Sequence, residues 1–273
     1  MKKKINFKCY MSISMNLDKV KIQKIPIFIG LILLASALRL FALWLFPIVE
    51  RDGILYLQLI ETWHREGSYQ NMLTVFPGRD WIPSLPLFLM KLFMPLGVSA
   101  ECSARILSIF CGSFVPIIGY EIAWTLLKDQ KIAISSGVLF AVHPILIEYS
   151  IQPLRDGFYI FWCGLSLLFL CRGVVEKKWY DWSLAGLFFS SSLLTRYETL
   201  ELLPLVILFF FWAAAFRHYP WKIAFLHLGL FIACLIISLI LWGLLQGTLA
   251  LFSKSYWNYY LGKWRVLEQI WNI

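Results

Sequence analysis

The stretch IPIFIGLILLASALRLFALWLFP (residues 25–47) is followed at once by Val49-Glu50-Arg51-Asp52-Gly53-Ile54-Leu55-Tyr56. The first part is an apolar run of about 23 residues, roughly 34 Å as a helix, which suffices to cross a bilayer. The second presents two carboxylates, an arginine and a glycine where the chain leaves the membrane. Such a flank can be no more than a solvated helix end. Its place in the whole pattern argues for a site.

The 273 residues are 60% hydrophobic, 17% aromatic and only 15% charged, with a mean hydropathy of +0.71. A soluble domain carries about a quarter of its residues charged. The composition therefore describes an all-α polytopic membrane protein. The net charge of +9 does not point to nucleic acid, because the basic residues stand at the ends of apolar runs. There they act as topology signals and lipid-headgroup contacts. The cysteines (Cys9, Cys102, Cys111, Cys163, Cys171, Cys234) show no C-x-x-C and no zinc spacing, so neither a disulfide nor a metal is expected. Ala35-Ser36-Ala37 imitates a signal-peptidase site, but the apolar run continues to Phe46, which favours an uncleaved signal anchor.

Residues 1–24 form a basic tail with seven lysines and one acid, Asp18. Such a tail stays cytoplasmic, so helix 25–47 runs outward. Arg39 lies inside that helix and needs a partner; matching depths along the helices select Glu148 or His143 over Glu121. The first outer loop covers 48–104. Within it, residues 54–66 form an amphipathic helix with Gln58, Glu61, Thr62 and Arg65 on one face and Leu55, Leu59, Ile60 and Trp63 on another. A loop over 67–80 follows. The segment 81–98, interrupted by Pro83, Pro86 and Pro95, lies flat in the outer interface. Further helices cover 105–127, 132–150, 158–174, 183–195, 200–216 and 223–246, for about seven transmembrane helices in all. In this order the inner connections carry two, three and two Lys/Arg and the short outer ones one each, as the positive-inside bias requires. Residues 25–247 make one transmembrane domain. Residues 248–273 read as an extracytoplasmic tail, the start of a missing C-terminal part. The setting is a cell membrane, in particular a bacterial inner membrane, with membrane lipids as partners.

Three clusters thereby reach the outer face: Glu50-Arg51-Asp52, Arg155-Asp156 and Arg196-Tyr197-Glu198. Each alone is explicable as helix capping or a solvated turn. Together they outline a polar site beside the bilayer.

At these residues the chain resembles the GT-C membrane glycosyltransferases, in the protein O-mannosyltransferase and aminoarabinose-transferase branch (the dolichyl-phosphate-mannose-protein mannosyltransferase family). The marks are Asp52 with Tyr56 and Pro83-Ser84-Leu85-Pro86-Leu87, then His143-Pro144 to Ser150 with Arg155-Asp156, and Leu194-Thr195-Arg196-Tyr197. The resemblance covers about residues 25 to 247 and implies a polyprenyl-phosphate-linked sugar donor. The transfer it implies is inverting and extracytoplasmic, to an acceptor hydroxyl on a glycan, lipid or protein. Asp52 matches the first-loop acid, a base or acceptor-positioning group, with Glu50 and Asp156 as further catalytic candidates. Donor phosphate contacts fall to Arg196 and Arg79 first, then Arg155 and Lys91, while Tyr56, Tyr197 and Glu198 complete the site. No cofactor beyond the lipid-linked donor is expected. The chain departs from the family in having Asp52-Gly53 where many relatives have Asp-Glu, and Trp81-Ile82 where a histidine usually precedes the paired prolines. Rival readings are a transporter or lipid flippase, for which Glu121 is the deepest acid, and a non-catalytic membrane subunit.

Overall fold

The structure, a computed structural model, describes residues 7–77, 82, 84–216 and 220–246, the side chains of 7–23, 214, 216 and 246 excepted. It is helical throughout these residues. In chain order the helices are α1 (Phe7–Leu45), α2 (Arg51–Glu66), α3 (Tyr69–Val75), α4 (Ser84–Met90), α5 (Ala100–Leu127) and α6 (Gln130–Val142). They continue with α7 (Pro144–Ile151), α8 (Arg155–Glu176), α9 (Trp179–Leu193), α10 (Leu203–Phe216) and α11 (Trp221–Gln246). Single 3-10 segments occupy Met94–Leu96 and Tyr197–Leu202.

Four described helices are long and apolar enough to cross a membrane: Lys24–Leu45, Ala100–Leu127, Arg155–Glu176 and Trp221–Leu245. The expected continuous helix over 132–150 is broken into α6 and α7, bent by 51°, and counts as a fifth span only if the pair is taken together. Pro144 explains the break. It lacks the N–H that would bond back into α6, and it pushes His143 into extended backbone, φ −65° and ψ 120°. At 15 and 14 residues, α9 and α10 fall short of the roughly 20 that a lone span needs. The all-α polytopic architecture stands; of the about seven helices expected, four, or five with the bent pair, are long enough to cross alone among the described residues. Among the described residues these two helices are short members of the bundle, with α9 packed between α8 and α11.

α5 is the hub, touching α1, α2, α4, α6, α7 and α8. It can do so because its buried face is small: Ser103, Ala104, Ser108, Cys111, Gly112 and Gly119. A Cβ at Gly112 would fall 2.1 Å from Ser150 Oγ and 2.8 Å from Arg39 Nε, so only glycine lets α1 and α7 close on α5 there. Small residues serve membrane helices in this way because close backbone approach, rather than water exclusion, drives their association. Large apolar side chains such as Leu40, Phe41 and Trp44 on α1 and Ile236, Ile240 and Leu244 on α11 face outward, as a lipid-facing belt does.

Arg39 is wholly buried, yet its partners are backbone carbonyls: Nη1 donates to Ala35 O at 3.0 Å and to Ala141 O at 3.5 Å. No ion pair joins it to Glu148 or His143 among the described residues, and both of those residues are exposed. The pairing expected from matched depth fails because the kink at Pro144 turns α7 away from the line of α6. Glu121 is tied elsewhere, to Lys24 Nζ at 2.6 Å, with Tyr120 and Trp124 rings beneath that ammonium.

The outer-loop region forms a cap over one end of the bundle. Tyr56, Leu59, Ile60 and Trp63 of α2 pack with Tyr69 and Met72 of α3, Leu87 and Met90 of α4, and Ala104 and Phe158 below. Thr62, expected on the polar face, is buried in this layer, whereas Gln58, Glu61 and Arg65 are exposed. The supposed loop over 67–80 contains α3, started by Ser68, whose Oγ accepts from Asn71 N. The segment 81–98 is, over Ser84–Leu96, shorter than a lone span needs. Its described part is α4 and the 3-10 turn, and the far end of α11 reaches it through Trp242 Nε1, which donates to Ser84 Oγ at 2.8 Å. The chain thus re-enters the bundle at the end where it left α1. Reporter fusions at Ser99 and Arg155 are expected to report one side of the membrane and fusions at Gln130 and Lys177 the other. Agreement of all four would contradict this arrangement.

Candidate functional site

Three chain segments meet at the capped end. The first is the link from α1 to α2, held by two buried side chains. Gln152 donates from Nε2 to Ile48 O at 3.0 Å and accepts from Glu50 N at 3.3 Å. Arg105 donates from Nη2 to Pro47 O at 2.6 Å, while Glu101, one turn earlier on α5, balances its charge at 2.8 Å. Neither residue stood out in the sequence as a functional candidate. Arg105 read as the mere start of a helix, and Gln152 as one residue of a polar turn. A glutamine before a proline at a helix junction was the available signal for the second.

These clips place Asp52 in the first turn of α2, exposed, at a helix N-terminus that favours a carboxylate. Glu50 is the N-cap by position but makes no side-chain cap. Gly53 is pressed against the second segment. A Cβ there would fall 2.8 Å from Val49 Cγ1 and 2.9 Å from Pro153 Cγ. The absence of an acid at position 53 therefore has a packing cause.

The second and third segments join through charge. Arg196, ahead of the 3-10 turn, donates from Nη1 to Asp156 Oδ1 at the start of α8. Its Nε lies 3.7 Å from Glu198 Oε2, and its guanidinium covers the Tyr159 ring at 5.5 Å. Asp156 and Glu198 thus both engage Arg196. Arg155 is half-buried and makes no hydrogen bond or ion pair among the described residues. Tyr56, buried on α2, lies in the electrostatic field of Arg155, Asp156, Asp52 and Arg196. Burial raises its phenol pKa first of all; Arg155 opposes that shift, Asp156 and Asp52 add to it, and Arg196 opposes it. The phenol is consequently a neutral O–H donor at neutral pH.

The structure therefore brings Asp52, Tyr56, Arg155, Asp156, Arg196 and Glu198 to one place, with Glu50 at its edge. Two other expected members lie apart. Tyr197 turns into an apolar cluster with Leu193, Leu200 and Leu239. Lys91 covers the Trp63 ring at 4.5 Å, where burial lowers its pKa; Trp63 is about 16 Å along α2 from Asp52 by helical rise. Arg79 lies outside the described residues. No group of three His, Cys, Asp or Glu converges among the described residues to hold a metal.

A bundle of apolar helices with carboxylates and guanidinium groups gathered at one end describes a polytopic membrane protein, and its glycosyltransferase type, GT-C, follows from a family match. The sequence model of the dolichyl-phosphate-mannose-protein mannosyltransferase family matches residues 82–242, more than half of the chain. The protein belongs to that family. The match takes in Arg155, Asp156, Arg196 and Glu198 but begins after Asp52 and Tyr56, whose membership of the site rests on geometry. No curated protein and no solved structure gives a match.

The contact at Gly53 can be tested on stability. Helix propensity alone makes Gly53→Ala stabilising by up to about 1 kcal/mol. Against Pro153 and Val49 the added carbon overpacks, at a cost of about 1–3 kcal/mol. The variant is expected to melt at lower temperature in detergent. A higher melting temperature would show that α2 is not pressed on the 152–156 segment.

Proposed function

We propose that the protein transfers a sugar from a polyprenyl-phosphate donor to an acceptor hydroxyl, with inversion, on the extracytoplasmic side of the membrane. The observation that carries this reading is the convergence, around Tyr56, of an exposed unpaired carboxylate and a cation without a partner among the described residues.

Asp52 takes the proton of the acceptor hydroxyl as its oxygen attacks the anomeric carbon. The bond from that carbon to the phosphate oxygen breaks with its electron pair, and the lipid phosphate leaves carrying the extra negative charge. Proton removal by a placed carboxylate contributes about 10²–10⁴ in rate. Arg155 meets the growing charge on the phosphate, where a guanidinium fixed in a poorly hydrated site is most effective. The Tyr56 hydroxyl is placed to donate to the same region. Arg196 keeps Asp156 and Glu198 neutralised, so that Arg155 stays available. This order, with Arg155 ahead of Arg196 as phosphate ligand, follows from which guanidinium is already engaged.

In proteoliposomes supplied with a polyprenyl phosphate-linked mannose, Asp52→Asn is expected to lower transfer by about 10²–10⁴-fold. The fold should remain intact, because Asp52 is exposed and packs against nothing. Glu50→Gln is expected to retain most of the rate at saturating acceptor. If Glu50→Gln abolished transfer and Asp52→Asn did not, the two acids would exchange roles. If neither affected it, the site would lie elsewhere.

A further inference from the structure

A lateral groove of about 520 Å³ opens beside the site, lined by Ala42 and Phe46 of α1, Ile48 and Glu50 of the link, and Pro144, Ile147, Glu148, Ile151 and Gln152 of the α7 side. It exists because α7 bends away at Pro144 and leaves the outer end of α1 uncovered. Its walls are apolar apart from Gln152, whose amide is already engaged in holding the link, and two carboxylates. Neither carboxylate, of Glu50 or of Glu148, makes a hydrogen bond or ion pair among the described residues. Glu148 lies one helical turn inward of Gln152, so its charge faces an apolar wall at membrane depth. A carboxylate in that setting calls for a cationic partner. Arg39, the cation expected as its partner, donates to backbone carbonyls instead.

We propose that this groove receives the acceptor, and that the acceptor is an amphiphile with an apolar chain and a protonated amine beside the hydroxyl it offers. The role as acceptor rests on the transferase reading; the ligand chemistry does not. The apolar walls take the chain, and the ammonium lies between Glu148 and Glu50. Its neighbouring hydroxyl is then directed toward Asp52, two residues beyond Glu50. A phosphate-headed lipid is repelled by the same two charges, which keeps the donor on the Arg155 side. A divalent ion lacks a third carboxylate, histidine or cysteine here and would leave the apolar walls unused.

The test uses three photoactivatable probes with the same diazirine-bearing alkyl chain: a 2-amino-1,3-diol, the 1,3-diol without the amine, and the alkyl phosphate. The full chain is labelled in lipid nanodiscs and the adducts are mapped by mass spectrometry. The amino-diol is expected to label residues 42–48 and 144–152 about tenfold more than either control, the range of one lost charge-assisted contact. Glu148→Gln is expected to remove that preference while leaving labelling by the plain diol unchanged, and Ala42→Trp to remove labelling by all three. With the polyprenyl phosphate-linked mannose, the amino-diol should be glycosylated, with KM raised about tenfold in Glu148→Gln and kcat retained. Equal labelling by the three probes, labelling elsewhere, or an amino-diol that labels the groove but is never glycosylated would each overturn the proposal. Labelling needs no transfer, so its outcome is independent of the Asp52→Asn result that judges the catalytic reading.

Discussion

The site depends on how α2 is fastened to the start of α8. Gln152 bonds to the backbone of both Ile48 and Glu50, and Pro153 leaves no room for a Cβ at Gly53. Without this seam the acid-bearing first turn of α2 would hang from α1 by a short link. With it, Asp52 and Tyr56 are held against Arg155 and Asp156, and the Arg196–Asp156 ion pair adds the third segment. The pair is about a third to a fifth exposed, so its strength is screened and its value lies in placement more than in stability. Much of the cap's stability comes from the aromatic and aliphatic layer of α2, α3 and α4 seated on α5 and α8.

The division of labour among the charges follows from these contacts. Arg196 serves two carboxylates and a tyrosine face, which makes it a structural cation. Arg105 is likewise committed, to Pro47 O and Glu101. Arg155 makes no side-chain hydrogen bond or ion pair among the described residues, whereas Arg196 and Arg105 each hold a carboxylate, with Nε of the first and Nε and Nη1 of the second left unsatisfied. The charges without an ion pair among the described residues separate in space as well. Glu50 and Glu148 face the lateral groove between α1 and α7, while Arg155 stands at the α8 side. The proposed transfer uses this arrangement, with the anionic donor on the Arg155 side and the cationic acceptor on the groove side.

Much of this was legible in the sequence because membrane helices announce themselves by length and apolarity, and because charge at their ends is rare enough to be informative. The three clusters, the flat segment with its prolines and the amphipathic α2 were read from those two signals. What escaped was tertiary. The kink at Pro144 was hidden in an apolar run, and it undid the expected partner of Arg39. Capping by Ser68 made a short helix of what looked like a loop. Tyr197 lies within a stretch that carries the family's marks and Lys91 just beyond another, yet packing turned one into the core and set the other on Trp63. Arg105 and Gln152 were overlooked because their work is done on backbone atoms, which leave no trace in composition or spacing.

The account turns on a donor phosphate held by Arg155 rather than by the better-connected Arg196. The direct measurement is the dissociation constant of a short-chain polyprenyl phosphate for the protein in nanodiscs, compared between the native chain and Arg155→Ala. Loss of a charge-assisted contact predicts weakening by about tenfold to a hundredfold, with Lys91→Ala as a control that leaves the affinity unchanged. An unaltered affinity in Arg155→Ala would contradict the placement of the phosphate and, with it, the geometry of the proposed transfer.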